Sequence, residues 1–105
     1  ICCICSSNLT HYGKEYNFIP FIHSVKDNLH ILDKKLINSI LNLNSKEFYE
    51  LAKKNKLPDI NVITLFIEIM KGLGLKNGQL LQYYTSGDLS DYSDSVGMAA
   101  ISFSK

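Results

Sequence analysis

Ser6-Ser7-Asn8-Leu9-Thr10-His11-Tyr12-Gly13 follows directly on Ile1-Cys2-Cys3-Ile4-Cys5. The continuous apolar run from Ile1 to Ser6 predicts a strand buried on both faces. The polar segment from Ser7 to Gly13 then predicts a loop at the carboxyl end of that strand, with His11 facing a cleft. An α/β domain commonly presents a site where a strand runs out. His11 is the candidate acid/base residue of the segment, because an imidazole titrates near neutrality. The alternative is a loop histidine satisfied by a backbone carbonyl.

The chain after Gly13 reads as one aromatic loop, three helices and two strands. Pro20 breaks regularity within Lys14 to Ile22, where Tyr16, Phe18 and Phe21 predict a loop packed on the core. Val25, Leu29, Leu32, Leu36, Ile40 and Leu43 recur at helical spacing, widened by Ile37 and Leu41. Lys26, Asp33, Lys34 and Lys35 fall largely outside that stripe. Ser24 is the predicted N-cap, with Asp27 in the first turn. Asn44 and Glu47 carry capping-box spacing for a second helix that buries Phe48, Leu51 and Ala52. Lys53 and Lys54 suit its C-terminal dipole.

Ile60 to Leu73 is apolar nearly all round, so a helix buried on most of its surface is predicted, ended by Gly72 and Gly74. Asn77-Gly78 signals a turn. Gln79 to Thr85 and Ser95 to Ser104 read as an antiparallel pair of strands joined by the polar loop 86–94. The predicted order is β-loop-α-α-α-β-β, an α/β or α+β arrangement forming one domain over residues 1–105.

Composition narrows the partners. The 105 residues are 46% hydrophobic and 20% charged, with 11 Lys and Arg against 10 Asp and Glu. One small domain with a modest core is expected. The basic residues are scattered apart from Lys34-Lys35 and Lys53-Lys54, so neither nucleic acid nor an anionic membrane is an expected partner. No apolar run reaches the roughly 18 residues that span a bilayer. With no leader signal and three cysteines crowded into Cys2, Cys3 and Cys5, a reduced, cytoplasmic protein is expected. A buried-looking strand at Ile1 suggests the C-terminal part of something longer.

Few motifs carry chemistry by themselves. The cysteines form no C-x-x-C and read as small buried apolar residues. His23 and His30 make no ligand pattern with His11. Asp88, Asp91 and Asp94 lack the order of an EF-hand loop and read as a solvated turn. There is no P-loop, no G-x-S-x-G and no G-x-G-x-x-G.

Three stretches taken in order resemble one family. Ser6-Ser7-Asn8-Leu9-Thr10-His11-Tyr12-Gly13 is similar to S-S-D-L-S-H-Y-G. Leu32-Asp33, with the helix on to Phe48, resembles an L-D helix followed by D-x-x-x-F. Tyr83 to Phe103, with Thr85-Ser86-Gly87-Asp88, Ser95-Val96-Gly97 and Ala99-Ala100, resembles Y-x-x-S-G-D…V-G-Y-A-A. The family is Memo, the AmmeMemoRadiSam system protein B of microbes. The resemblance covers essentially the whole chain and makes it the C-terminal part of a domain more than twice as long.

That resemblance implies a class III extradiol dioxygenase-like domain, α/β, a sheet with flanking helices. It implies a pocket holding two histidines from the N-terminal half, a cysteine, and a D-x-x-H pair. Iron or copper, a redox role and, in eukaryotic members, phosphotyrosine-bearing partners are attributed to the family. Carried over, His11 takes the histidine of D-x-x-H and Asn8 the place of its aspartate, so the pocket residues are Asn8 and His11. The family's cysteine lies in C-G-x-x-P-I, which falls in or near residues 58–63. No cysteine follows Cys5, so the soft thiolate ligand is missing and no complete metal site is expected in this chain. The expectations are therefore a degenerate, non-catalytic metal site; a metal-dependent oxidoreductase once the missing N-terminal half is present; or a module that binds a protein or phosphopeptide. No cofactor is expected in this chain alone.

Overall fold

In the computed structural model, which describes residues 2–16, 18–88 and 94–104, β1 (Cys2–Gly13) is followed by three helices, α1 (Val25–Leu41), α2 (Ser45–Lys54) and α3 (Ile60–Gly72). The chain then forms β2 (Asn77–Thr85) and β3 (Asp94–Ser104). Short 3-10 turns, Lys14–Tyr16 and Ser86–Asp88, follow β1 and β2. The sheet order is β1-β3-β2, and both pairings are antiparallel. The strand latest in sequence is thus the middle one. The α/β class expected from the pattern holds, and so does the β2–β3 pair.

The helices cover one face of the sheet. Along β3, Ser95, Gly97, Ala99, Ile101 and Phe103 are buried, and the alternate residues from Val96 to Ser104 are half-buried. Ala99, Ile101 and Phe103 join Leu9 beneath Leu36, Ile37 and Ile40 of α1, Phe48 and Ala52 of α2, and Ile63, Ile67 and Met70 of α3. Fully burying a side chain such as Phe103 or Leu36 stabilises the fold by about 1.5–3 kcal/mol. The other face of the sheet carries Ile4, Ser6 and Asn8 of β1 opposite Ser102, Ala100 and Met98. Residues directly opposite on paired strands share a face. The strand expected to be buried on both sides is therefore buried on one, and Ile4 is 66% exposed.

Backbone hydrogen bonds explain where each helix stops. After α1, Leu43 N–H reaches Ile40 O and Asn44 N–H reaches Ser39 O. After α2, Lys56 N–H reaches Lys53 O and Leu57 N–H reaches Ala52 O; after α3, Gly74 and Leu75 repeat the pattern on Lys71 and Met70. This is the Schellman arrangement, which needs a left-handed residue just past the cap. Only α3 uses a glycine for it, at φ 72°, whereas Leu43 and Lys56 sit at φ 54°. At the other ends, Asn44 caps α2 as expected: its side-chain oxygen accepts the Glu47 N–H at 3.1 Å. Ser24 precedes α1 but makes no side-chain cap, because it is itself left-handed, at φ 50°.

Three further expectations are corrected. The segment Ser6–Gly13 is not a loop: it continues β1, paired with β3 as far as Gly13 opposite Asp94. Its polar side chains reflect an open sheet face rather than a turn. Asn77-Gly78 is not a turn either; both residues open β2. Gly78 is needed because a Cβ there would stand 2.6 Å from the Phe103 ring. Finally, α3 is not buried on most of its surface. Ile63, Ile67 and Met70 are buried, but Val62 is 68% and Leu65 61% exposed, and Ile69 and Leu73 are exposed beside them. The triplet Asp88, Asp91, Asp94 depends on residue 91, outside the described residues.

Candidate functional site

Strand geometry alone would separate Asn8 from His11. Side chains alternate along a strand, so residues three apart point to opposite faces. The pairing of β1 with β3 shows otherwise. Asn8 lies opposite Met98 and His11 opposite Val96, two residues apart on β3, with a register shift between them. Leu9 and Thr10 together face the single residue Gly97, and both are buried. This is a β-bulge, one extra residue on β1. It turns two consecutive side chains inward and so restores Asn8 and His11 to one face.

His11 is half-buried, and its Nδ1 lies 2.9 Å from the Leu9 carbonyl oxygen. A carbonyl only accepts, so Nδ1 carries the proton and Nε2 is the nitrogen free to act as base or ligand. The ring meets Tyr16 edge-on at 5.1 Å. Tyr12, at the next position, is fixed by its hydroxyl donating to Phe21 O at 2.6 Å and by stacking on the Phe21 ring. Those contacts tie the aromatic loop to the end of β1.

Asn8 is exposed on the rim of a cavity of about 530 Å³. Ser6 and Ser7 join it from β1, Gln82 and Tyr84 from β2, Met98, Ala99 and Ala100 from β3, and Asp59 and Val62 from the start of α3. His11 is not among the residues lining it. Among the described residues, the lining mixes amide and hydroxyl groups and one carboxylate with the apolar Val62, Met98, Ala99 and Ala100, and includes no lysine, arginine or histidine. His23 is exposed in the loop before α1, and His30 is half-buried with its ring edge-on to Tyr83 at 5.4 Å.

One residue of this neighbourhood was missed by the sequence reading. Asp33, assigned to the polar side of α1, is 0% exposed. Its Oδ1 accepts the Thr10 N–H at 3.1 Å and its Oδ2 accepts the Tyr83 hydroxyl at 2.5 Å. Burial pushes its pKa above the ordinary carboxylate value, and the contacts with Thr10 and Tyr83 and the nearby His30 only partly pull it back. The signal was present: Asp33 lies four residues after Leu29, three before Leu36 and four before Ile37, all buried on the same helix face.

Among the described residues, no three His, Cys, Asp or Glu side chains come together to hold a metal ion. The donors this segment offers are one imidazole nitrogen of His11 and the neutral amide of Asn8. That set does not fit the iron or copper the resemblance implies, since neither a thiolate nor a carboxylate completes it.

The Memo-like protein family model matches residues 1–102. The chain belongs to the Memo family. A MEMO1 family protein of Methanocaldococcus jannaschii is 37% identical over 100 residues, 92% of this chain and 31% of its own length. Another from Nitrosopumilus maritimus is 33% identical over 103 residues, 95% of this chain and 34% of its own. A third, from Methanococcus maripaludis, is 36% identical over 101 residues, 93% of this chain and 32% of its own. The chain thus spans about a third of the length of these curated Memo relatives. No helix among the described residues is long and apolar enough to cross a membrane.

Proposed function

We propose that this chain supplies the sheet and closing helices of a Memo-like domain, with the extradiol dioxygenase-like architecture of the family, and that its metal or redox site is degenerate. The observation that carries the reading is the bulged pair itself. The D-x-x-H geometry is kept, with both side chains on one face, but the carboxylate of the pair is replaced by Asn8. An amide still accepts a hydrogen bond but brings no charge to orient an imidazole or neutralise a cation.

The cysteine position supports the same reading. Setting the family's P-I on Asp59-Ile60 places its C-G on Asn55-Lys56. Lys56 has the left-handed φ of 54° that a glycine would adopt freely, which favours this register. Asn55, only 6% exposed, then stands where the family has its thiolate. Two ligand positions would both be amides. On this reading the chain does not catalyse a redox reaction, and the odd, clustered cysteines leave it a cytoplasmic protein.

A partner for this chain is favoured by α3. Val62, Leu65, Ile69 and Leu73 leave an apolar stripe in water, of the kind that marks an interaction surface. The rest of the Memo-like domain, about two thirds of the relatives' length, is the partner that fits it. A phosphopeptide is the less favoured occupant of the cavity, because its lining offers no cation among the described residues to meet a phosphate.

Titration calorimetry with iron(II) under anaerobic reducing conditions, and separately with copper(II) in reductant-free buffer, tests the degenerate site. No stoichiometric binding is expected. Tight one-to-one binding that is lost in His11→Ala would overturn the reading.

A further inference from the structure

We infer that Asp33 is the positioning residue of the Asn8–His11 segment: its carboxylate holds the β1 bulge that places both side chains on one face of the sheet.

A bulge leaves one residue without a regular ladder partner, and its backbone N–H has to be satisfied elsewhere. Here the bulged pair is Leu9 and Thr10, and the Thr10 N–H donates to Asp33 Oδ1 at 3.1 Å. The acceptor comes from α1, 23 residues away in sequence. The second oxygen of the same carboxylate is held by Tyr83 of β2 at 2.5 Å. The residue opposite the bulge on β3 is Gly97, and a Cβ there would lie 2.0 Å from Asp33 Oδ2. All three strands are therefore shaped around one side chain. β1 gives it a donor, β2 gives it a donor, and β3 gives it space.

The alternative for β1 is a regular register. Without an acceptor for the Thr10 N–H, a buried donor would be left unpaired, and closing the bulge would restore its ladder bond. That one-residue slip exchanges faces for every residue on one side of the bulge. His11 would then point to the helix side and Asn8 to the open side. The pair would be broken with neither residue altered.

The inference deepens the assignment of Asn8 and His11 as the site pair, and its test does not use binding or activity. Nuclear magnetic resonance on the protein would compare Asp33→Asn with Asp33→Leu. The asparagine keeps an oxygen for the Thr10 N–H, whereas the leucine has similar bulk and no acceptor. With Asp33→Asn, the cross-strand contacts Asn8–Met98 and His11–Val96 are expected to persist. With Asp33→Leu, His11–Val96 is expected to be lost while Asn8–Met98 and Cys3–Phe103 pairing remain, and the His11 ring-nitrogen shifts are expected to move. Retention of His11–Val96 in the leucine variant would overturn the proposal. Should that variant not fold, Tyr83→Phe decides. Loosening the carboxylate is expected to speed Thr10 amide exchange roughly tenfold relative to Ser6. Equal acceleration at both amides, or at neither, would overturn it. A metal-binding result of either sign leaves these readouts untouched, so the site reading and this one fail separately.

Discussion

Gly97 and Asp33 are packed so closely that the glycine's missing side chain is part of the contact: a Cβ at position 97 would stand 2.0 Å from Asp33 Oδ2. The atom it would meet is no flexible surface tip, because Asp33 is fully buried and bonded at both oxygens. Gly97→Ala is therefore expected to destabilise by about 3 kcal/mol or more, the upper range for forcing extra volume into a packed interior. Urea unfolding would measure it. Gly72→Ala is the control: nothing lies within 4 Å of a Cβ there, and no loss from crowding is expected.

The same carboxylate gives the protein a definite pH response. Its pKa in the folded state lies above the ordinary 3.8. As pH rises from that value, the unfolded chain releases the Asp33 proton first while the folded chain still holds it. Stability from this group is then greatest at low pH and falls until the folded pKa is passed. Asp33→Asn has no such titration. The difference in urea midpoint between the parent protein and this variant should shift in the variant's favour as pH rises from about 4 to 7. A difference independent of pH would show that Asp33 is ionised alike in both states.

Helix ends offer a stabilising change. Lys56 is exposed and holds a left-handed φ of 54° just past α2. Lys56→Gly is expected to raise stability by about 0.5 to 1 kcal/mol, the strain relieved less the freedom glycine adds to the unfolded chain. Leu43 has the same backbone but packs against the core, so Leu43→Gly should gain less or lose. Thermal unfolding of the two variants side by side would show the contrast.

The two faces of α3 should respond oppositely. Ile67 is fully buried, and Ile67→Ala is expected to cost about 2–5 kcal/mol. Leu65→Lys, on the exposed stripe, should change the stability of this chain by no more than about 0.5 kcal/mol. It should nevertheless weaken capture of the upstream two thirds of a Memo-like domain supplied as a separate chain. Unchanged capture would remove α3 from the contact.

Periodicity made the helices legible. Leu29, Leu36, Ile37 and Ile40 repeat at helical spacing and are buried, and Asn44 announced α2 by its distance from Glu47. What was hidden depended on partners distant in sequence. Ser6 and Asn8 look like loop residues until β3 is laid beside them, because polar residues also suit an uncovered sheet face. Gly78 looks like half of a turn until Phe103 is brought against it. The bulge cannot be read from β1 at all, since its cause sits on α1. Asp33 could have been found: its place among buried leucines at helical spacing marks it as inward, and only its charge argued for solvent. The apolar character of α3 was plain, but one chain does not disclose how much of that surface it covers for itself.

The position of β3 sets the timetable on which the molecule can be made. During synthesis β1 emerges well ahead of the strand it pairs with, 94–104, which is about eighty residues behind it. β2 has to wait as well, because among the described residues it pairs with β3 and not with β1. Three helices are complete before β1 can pair with β3. Until the ribosome releases β3, the edges of β1 and β2 that it will join have bare amides, and shielding those edges falls to the helices or to the cell's chaperones.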